Sequence, residues 1–324
     1  MELKVVDLEH AAGKRLAHNM VDDTGRKVLP KGTPIGTGEL ARLRELGHAQ
    51  VWVAELAPDD VPEDEAACRL SHPMSGPGIE ISTLSTGRAN LRATTSGILK
   101  VNTEMLRRIN GIPGLAIATL SDHTVVAKGQ VVATIKVVPY ALPRADVEMA
   151  ELVARQADGT LWVRPFQVME VGIVLSGAQA SEDRLRRVFG EAVRDRVEEV
   201  GSQIVAELFV PEYTEAIADA IRRLIEGGAH MIVIAGETSI VDVDDITPRA
   251  VKAAGGEIEI YGAPVDPGNL LMLAYVNDVP VVGAPGCVRS RATNVVDLVL
   301  PRLLAGEHLT RDDIVELGHG GLLG

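Results

Sequence analysis

The sequence predicts an α/β protein: a three-layer α/β/α domain in the C-terminal half, preceded by a small α+β region and a compact, mostly β domain. Two observations carry this. From about Phe166 onward, runs of nearly continuous Val and Ile alternate with helical stretches, as in a parallel sheet covered on both faces. Before that point, short apolar runs are split by glycine turns, as in a β domain. Aromatics make up only 3% of the chain, so the core must be aliphatic.

Texture divides the chain at 1–65 (small α+β region), 66–145 (mostly β domain), 146–165 (connecting helix and turn) and 166–324 (α/β domain). In the first region, GRKVLPKGTPIG is turn-rich, ELARLRELG has leucines at helical spacing, and QVWVAEL reads as a strand. APDDVPEDEAA then reads as a turn-rich acidic connector, and Ser71 to Gly78 as a loop. The β domain holds SGILKVN, a short helix from Thr103 to about Asn110, LAIATL and KGQVVATIKVVPYAL. GRANLRATTSG offers two arginines and several hydroxyls, either a solvated loop or a cradle for an anion. RADVEMAELVARQ is the connecting helix.

In the last region VMEVGIVLSG is a buried strand ending in glycine. SEDRLRRVFGEAVRDRVEEVG carries one apolar stripe from Leu185 to Val200, an amphipathic helix with Ser181 as its N-cap. QIVAELFV is a strand, PEYTEAIADAIRRLIEGG a helix closed by Gly227, and HMIVIAG a third strand. GEIEIYGAP, MLAYV and VPVVGAPG follow as strands, and RATNVVDLVLPRLLAG as the last long helix.

Composition excludes several classes. With 45 acidic and 32 basic residues, the net charge of −13 argues against wrapping nucleic acid, while leaving room for local basic sites. No run reaches the roughly 18 apolar residues of a membrane helix. The N-terminus has no signal-peptide pattern, and two distant cysteines fit a reducing cytoplasm.

Ligands of open α/β sheets sit beyond the carboxyl ends of the strands, where two loops fall. In GAPGCVRSRATN, Gly283, Pro285 and Gly286 let backbone approach a ligand, and Arg289, Ser290 and Arg291 add donors suited to phosphate. The alternative is an ordinary strand-to-helix turn. In GETSIVDVDDITPRAV, Gly236 permits close approach and Thr238 and Ser239 offer hydroxyls. Thr247 and Pro248 read as N-cap and first helical residue, with Asp245 favouring the helix start. Asp242 and Asp244 have no such structural use. They are assigned the catalytic and metal roles, a magnesium ion joining them to a ligand phosphate. Ser176 and Gly177, closing the first strand of the region, complete the set of ligand contacts. Other signals are weaker. Cys68 and His72 lack a second pair for zinc. Cys287 sits at a helix start, where a thiol can be acidified, but also suits a tight turn. Ser176 is not in a nucleophile elbow. His319, among glycines, marks a flexible end or a lid.

At the two loops the chain resembles the molybdopterin-binding domain of molybdenum-cofactor biosynthesis proteins, gephyrin-type proteins among them. AGETSIVDVD, Ala235 to Asp244, is similar to SGGVSVGDYD of the molybdate-inserting branch, with Gly236, Ser239, Asp242 and Asp244 matching. DITPRA, Asp245 to Ala250, is similar to DVTPEA of the adenylylating branch. PGNL at Pro267 and Gly268 stands for PGKP, and GAPGCVRS at Gly283 to Ser290 for GLPGNPVS. TGRANLRA and GHGGL resemble stand-alone bacterial molybdopterin-binding proteins. The departures are Glu237 and Val241 where the family has glycine, Asn269 for lysine and Cys287 for asparagine.

The resemblance implies contacts to molybdopterin or the molybdenum cofactor from Ser176, Gly177, Gly236, Glu237, Thr238, Ser239, Pro267, Gly268, Pro285, Gly286, Arg289 and Ser290. It implies a role in cofactor biosynthesis, insertion or delivery, with an insertase-like transferase activity assisted by magnesium, a homo-oligomer, and a molybdoenzyme as recipient. Two other readings stand beside it: a nucleotide pyrophosphate hydrolase on the same fold, and a non-catalytic carrier or sensor, toward which Glu237, Val241 and Asn269 point.

Overall fold

The computed structural model describes residues 1–323; Gly324, the last residue of the C-terminal region, lies outside the described residues. The chain forms two compact units, the first from Met1–Thr95 and Leu99–Val163, the second from Ser96–Ile98 and Arg164 onward.

In the first unit, strand Glu2–Asp7 pairs antiparallel with Gln50–Glu55, and helix Thr37–Glu45 buries Leu43 against their core. Strands Ile79–Ser85, Arg88–Ala93, Val131–Val137 and Leu115–Thr119 form an antiparallel sheet in the order 115–119, 131–137, 88–93, 79–85. Two expectations fail here. The acidic connector and the loop after it are largely helix Glu63–Met74. Glu63, Asp64 and Glu65 occupy its first turn, where the helix dipole favours acids. Ala66, Ala67, Leu70, Ser71 and Met74 form a buried face at helical spacing, and Pro73 falls in the last turn. GRANLRATTSG is not a loop over Arg88–Ala93. Ala89, Leu91 and Ala93 alternate inward, which is strand periodicity.

The second unit is a three-layer α/β/α domain. Its six strands are β1 (Glu170–Ser176), β2 (Gln203–Val210), β3 (Met231–Gly236), β4 (Glu257–Tyr261), β5 (Met272–Val276) and β6 (Val279–Gly283), in the order β2-β1-β3-β6-β5-β4. The first four in that order are parallel. β5 alone is reversed, running antiparallel to both β6 and β4. The cause is a two-residue hairpin: Asn277 and Asp278 both take positive φ, the geometry that reverses adjacent strands directly.

Helices cover both faces. On one, Val171, Ile173 and Leu175 of β1 pack with α1 (Glu191–Glu199) and α4 (Val295–Leu304). On the other, Val174 packs with α2 (Thr214–Glu226) and α3 (Ile246–Ala253). Each such Val or Ile withdrawn from water contributes about 1.5–3 kcal/mol. Gly172 leaves no room for a side chain, since a Cβ there would lie 2.8 Å from Leu224 Cδ1. The long helix expected from Ser181 is interrupted. A short turn, Glu182–Leu185, passes through a π-helical turn at Arg186–Gly190 before α1. Gly190 lies against the Glu207 carboxylate, which accepts from Arg186 at 2.6 Å.

The tail is tied down rather than loose. After α5 (Arg311–Glu316), the Asp266 amide donates to Gly321 O at 2.8 Å and the Leu323 amide to Asp266 O at 2.9 Å. Arg302, only 3% exposed, is held by Glu307 and Asp313, each at 2.7 Å. Among the described residues no helix is long and apolar enough to cross a membrane.

Burial pushes the Asp313 carboxyl up, but the Thr310 amide and hydroxyl and Arg302 outweigh it and hold it down at about 2. Because the folded value is depressed, the contribution is complete above the ordinary aspartate value and is lost as pH falls toward 2. Asp313→Asn should therefore cost about 2 kcal/mol at neutral pH. It should also flatten the stability curve between about pH 4 and 2, measured by urea unfolding at stepped pH.

Candidate functional site

The carboxyl ends of β1, β3 and β6 lie side by side, Ser176 opposite Gly236 and Ile234 opposite Gly283. The loops after them therefore meet. Ser176 is fully buried, and its hydroxyl has no hydrogen-bond partner among the described residues. A buried hydroxyl without a partner costs stability. A Cβ on Gly236 would stand 3.0 Å from Ser176 Oγ and 3.1 Å from Glu212 Oε1. Glycine thus lets the Ser176 hydroxyl and the Glu212 carboxylate lie close against the backbone at the strand end.

The loop after β3 is pinned from below. Ile240 is 8% exposed, and Gly283 is side-chain-free where a Cβ would meet Ile240 Cδ1 at 2.7 Å. The Tyr261 hydroxyl donates to Ile240 O at 3.1 Å. Ser239 is thereby brought to the second loop, its Oγ 3.9 Å from where a Gly286 Cβ would be. Asp245, not Thr247, is the N-cap of α3: its Oδ1 accepts from the Ile246 amide at 2.8 Å and its Oδ2 from the Val241 amide at 3.1 Å. The helix starts two residues earlier than Pro248 suggests, because an aspartate was available to cap it.

Two acids take hydrogen-bond donors at the strand ends. The Glu237 carboxylate accepts from the Ala178 amide at 3.0 Å, Ser181 Oγ at 2.7 Å and Arg184 at 2.7 Å. The Ser181 hydroxyl, Ala178 amide and Arg184 hold its carboxyl below the usual glutamate range. Ser181 thus spends its hydroxyl on Glu237 and makes no helix-cap bond. Gly177 makes room for this, since a Cβ there would lie 3.0 Å from Glu237 Oε2. Glu212 in turn accepts from the amide and hydroxyl of Thr238. Neither Glu212 nor Arg184 was singled out from the sequence. Glu212 follows β2 at its carboxyl end, and the strand-end rule was the signal that could have found it.

Of the two carboxylates assigned to metal, Asp242 Oδ1 accepts from the Asp244 amide at 2.8 Å. Asp244 is exposed, with Lys252 Nζ at 3.7 Å. Among the described residues no group of three or more His, Cys, Asp or Glu side chains could hold a metal ion. A magnesium ion here would complete its shell with ligand phosphate and water.

Arg289 and Ser290 line a cavity of about 410 Å³ against α1, with Arg196 and Asp297, and residues 176–177 and 236–244 are not among its lining. Arg196 binds Asp297 at 2.7 Å and the carbonyls of Val288 and Ser290. The Ser290 hydroxyl accepts from the Ala292 amide at 3.1 Å. Pro285 directly precedes the short turn Gly286–Arg289. Pro267 and Gly268 serve the start of α4: the Val295 amide donates to Pro267 O at 3.1 Å, and a Cβ on Gly268 would overlap Val295. Burial pushes the Cys287 thiol up, the reverse of acidification at a helix start.

The sequence of residues 172–305 matches the family described as a probable molybdopterin binding domain. The match lies inside the second unit. Residues 5–55 match a second family, a domain of unknown function. Comparison with curated proteins finds no match. Among solved structures, a molybdopterin biosynthesis MoeA protein from Pyrococcus horikosii aligns over 94% of this chain and 75% of its own, at 14% identity and TM-score 0.34. The molybdopterin biosynthesis enzyme MoaB from Thermus thermophilus aligns over 43% and 98%, at 16% identity and TM-score 0.30. The CinA protein of unknown function from Thermoplasma acidophilum aligns over 38% and 90%, at 15% identity and TM-score 0.27. Ser176 and Gly236 lie within the matched residues.

Ser176→Ala removes an orphaned buried hydroxyl. It should stabilise the ligand-free protein by about 1 kcal/mol while weakening any ligand that this hydroxyl contacts. Thermal unfolding with and without ligand measures both.

Proposed function

We propose that the protein binds molybdopterin, or the molybdenum cofactor built on it, and takes part in its biosynthesis, insertion or delivery. The observation that carries this reading is the unpartnered Ser176 hydroxyl beside Gly236, at adjoining parallel strand ends inside the matched domain. A phosphorylated pterin fits such a place. Ser176 and Ser239 would donate to its phosphate or ring, and Gly236 and Gly286 would let backbone close on it. When bound, the pterin would supply the sulfur ligands of molybdenum. The chain's part is to hold and orient it. Asp242 and Asp244 would position a magnesium ion shared with the ligand phosphate. A homo-oligomer and a recipient molybdoenzyme belong to the same proposal.

A carrier without turnover is the second reading, and Glu237 favours it. Its carboxylate takes the Ala178, Ser181 and Arg184 donors that would otherwise serve a transition-state phosphate.

The test is anaerobic titration of the purified protein with molybdopterin, with ATP and GTP as competitors. Binding that nucleotides fail to displace and that Ser176→Ala weakens is expected; no pterin binding would sink the proposal. Asp242→Asn keeps the acceptor for the Asp244 amide. It should leave the melting temperature unchanged while lowering any magnesium-dependent turnover at least about tenfold. No turnover in either protein selects the carrier reading. Glu237→Gly frees three donors and should tighten pterin binding on the order of tenfold, read in the same titration.

A further inference from the structure

We infer that the first unit carries a separate binding site for a purine nucleotide, a planar ring bearing phosphate. Within that unit a cavity of about 970 Å³ opens beside residues 17–31 and 136–140. That is ample for a small-molecule ligand. Its wall is cationic in an acidic protein: Lys27, Lys31, Arg88 and Lys136 face one carboxylate, Glu63. Lys136 is committed, donating to Glu63 at 3.1 Å and to Thr86 O at 2.6 Å. Lys27, Lys31 and Arg88 have no ion-pair partner among the described residues. In a chain with 45 acids, three cations bordering one cavity without a carboxylate make a local positive field that suits an anion. The Arg88 guanidinium gives the fork that matches phosphate. Arg88 lies on the face of its strand opposite the buried Ala89 and Leu91.

The rest of the lining suits a ring. Ala17, Pro30, Val138, Pro139 and Tyr140 border the same space, and Val138 is 64% exposed. The wall is also set before any ligand arrives. The Tyr140 hydroxyl donates to Ala17 O at 2.9 Å, the Lys31 amide to Asn19 Oδ1 at 2.8 Å, and Arg15 to Gly32 O at 3.0 Å. Gly32, at φ +81°, packs its backbone against the Tyr140 ring, where a Cβ would stand 3.2 Å from Cε1. A wall held this way loses little entropy on binding.

The test is calorimetric titration of the full chain with ATP, GTP and inorganic pyrophosphate, paired with Trp52 fluorescence. The Trp52 indole lies edge-on to His18 of the wall at 6.2 Å. Saturable binding of at least one nucleotide is expected, weakened tenfold or more in the Lys31→Gln, Arg88→Gln double variant and unchanged in Ser176→Ala. Both substituted side chains are exposed, and circular dichroism verifies folding. Failure of both nucleotides to bind overturns the site. Binding unchanged in the double variant, or lost in Ser176→Ala, overturns it too, the latter moving nucleotide to the molybdopterin-binding domain. Pyrophosphate binding as tightly as the nucleotides would overturn the part given to the ring.

Discussion

A sheet buried on both faces can keep polar side chains only where its strands end. In the second unit, Val171 to Leu175 of β1 and Met231 to Ala235 of β3 are wholly or almost wholly withdrawn from water. After Glu170 at its start, β1 carries no polar side chain until Ser176, at its last position. That constraint sets Ser176 level with Gly236, and Gly283 level with Ile234 two residues before it, so that the loops after β1, β3 and β6 lie beside one another. The close packing below these strand ends, with Ile240 filling the space that Gly283 leaves, makes the loop positions a property of the core.

Much of this was legible in the sequence. The aliphatic runs and the apolar stripes located the α/β domain, and the strand-end rule located both loops before any coordinate. What escaped were features decided by tertiary partners. Residues 63–74 are polar and turn-rich in their first half, yet a buried face of Ala, Leu and Met draws them into a helix. Arg88–Ala93 looks like a loop by composition, and only its alternating burial shows a strand. The reversal of β5 rested on Asn277 and Asp278, a short turn signal inside what read as an unbroken series of strands. In the site, the glycines and hydroxyls were readable because they are local. The partnership of Glu237 with Ala178, Ser181 and Arg184 was not, because it joins residues more than 50 positions apart.

Charge is managed in opposite ways in the two units. At the strand ends the chain supplies its own anions, Glu237 and Glu212, to donors a ligand could use. Around the cavity of the first unit it pairs Lys136 with Glu63 but leaves Lys27, Lys31 and Arg88 without a carboxylate among the described residues. An overall charge of −13 conveys neither arrangement. What matters to a ligand is the local balance, since screening confines exposed charges to a range of about 10 Å.

The Glu237 contact also has a genetic side. A glutamate codon becomes a glycine codon by a single base change at its second position. The self-occupied loop of this protein and a loop with its donors open to a ligand are therefore neighbours in mutational space. No change elsewhere is needed to pass between them, because Gly177 and Gly236 already leave the backbone clear on either side.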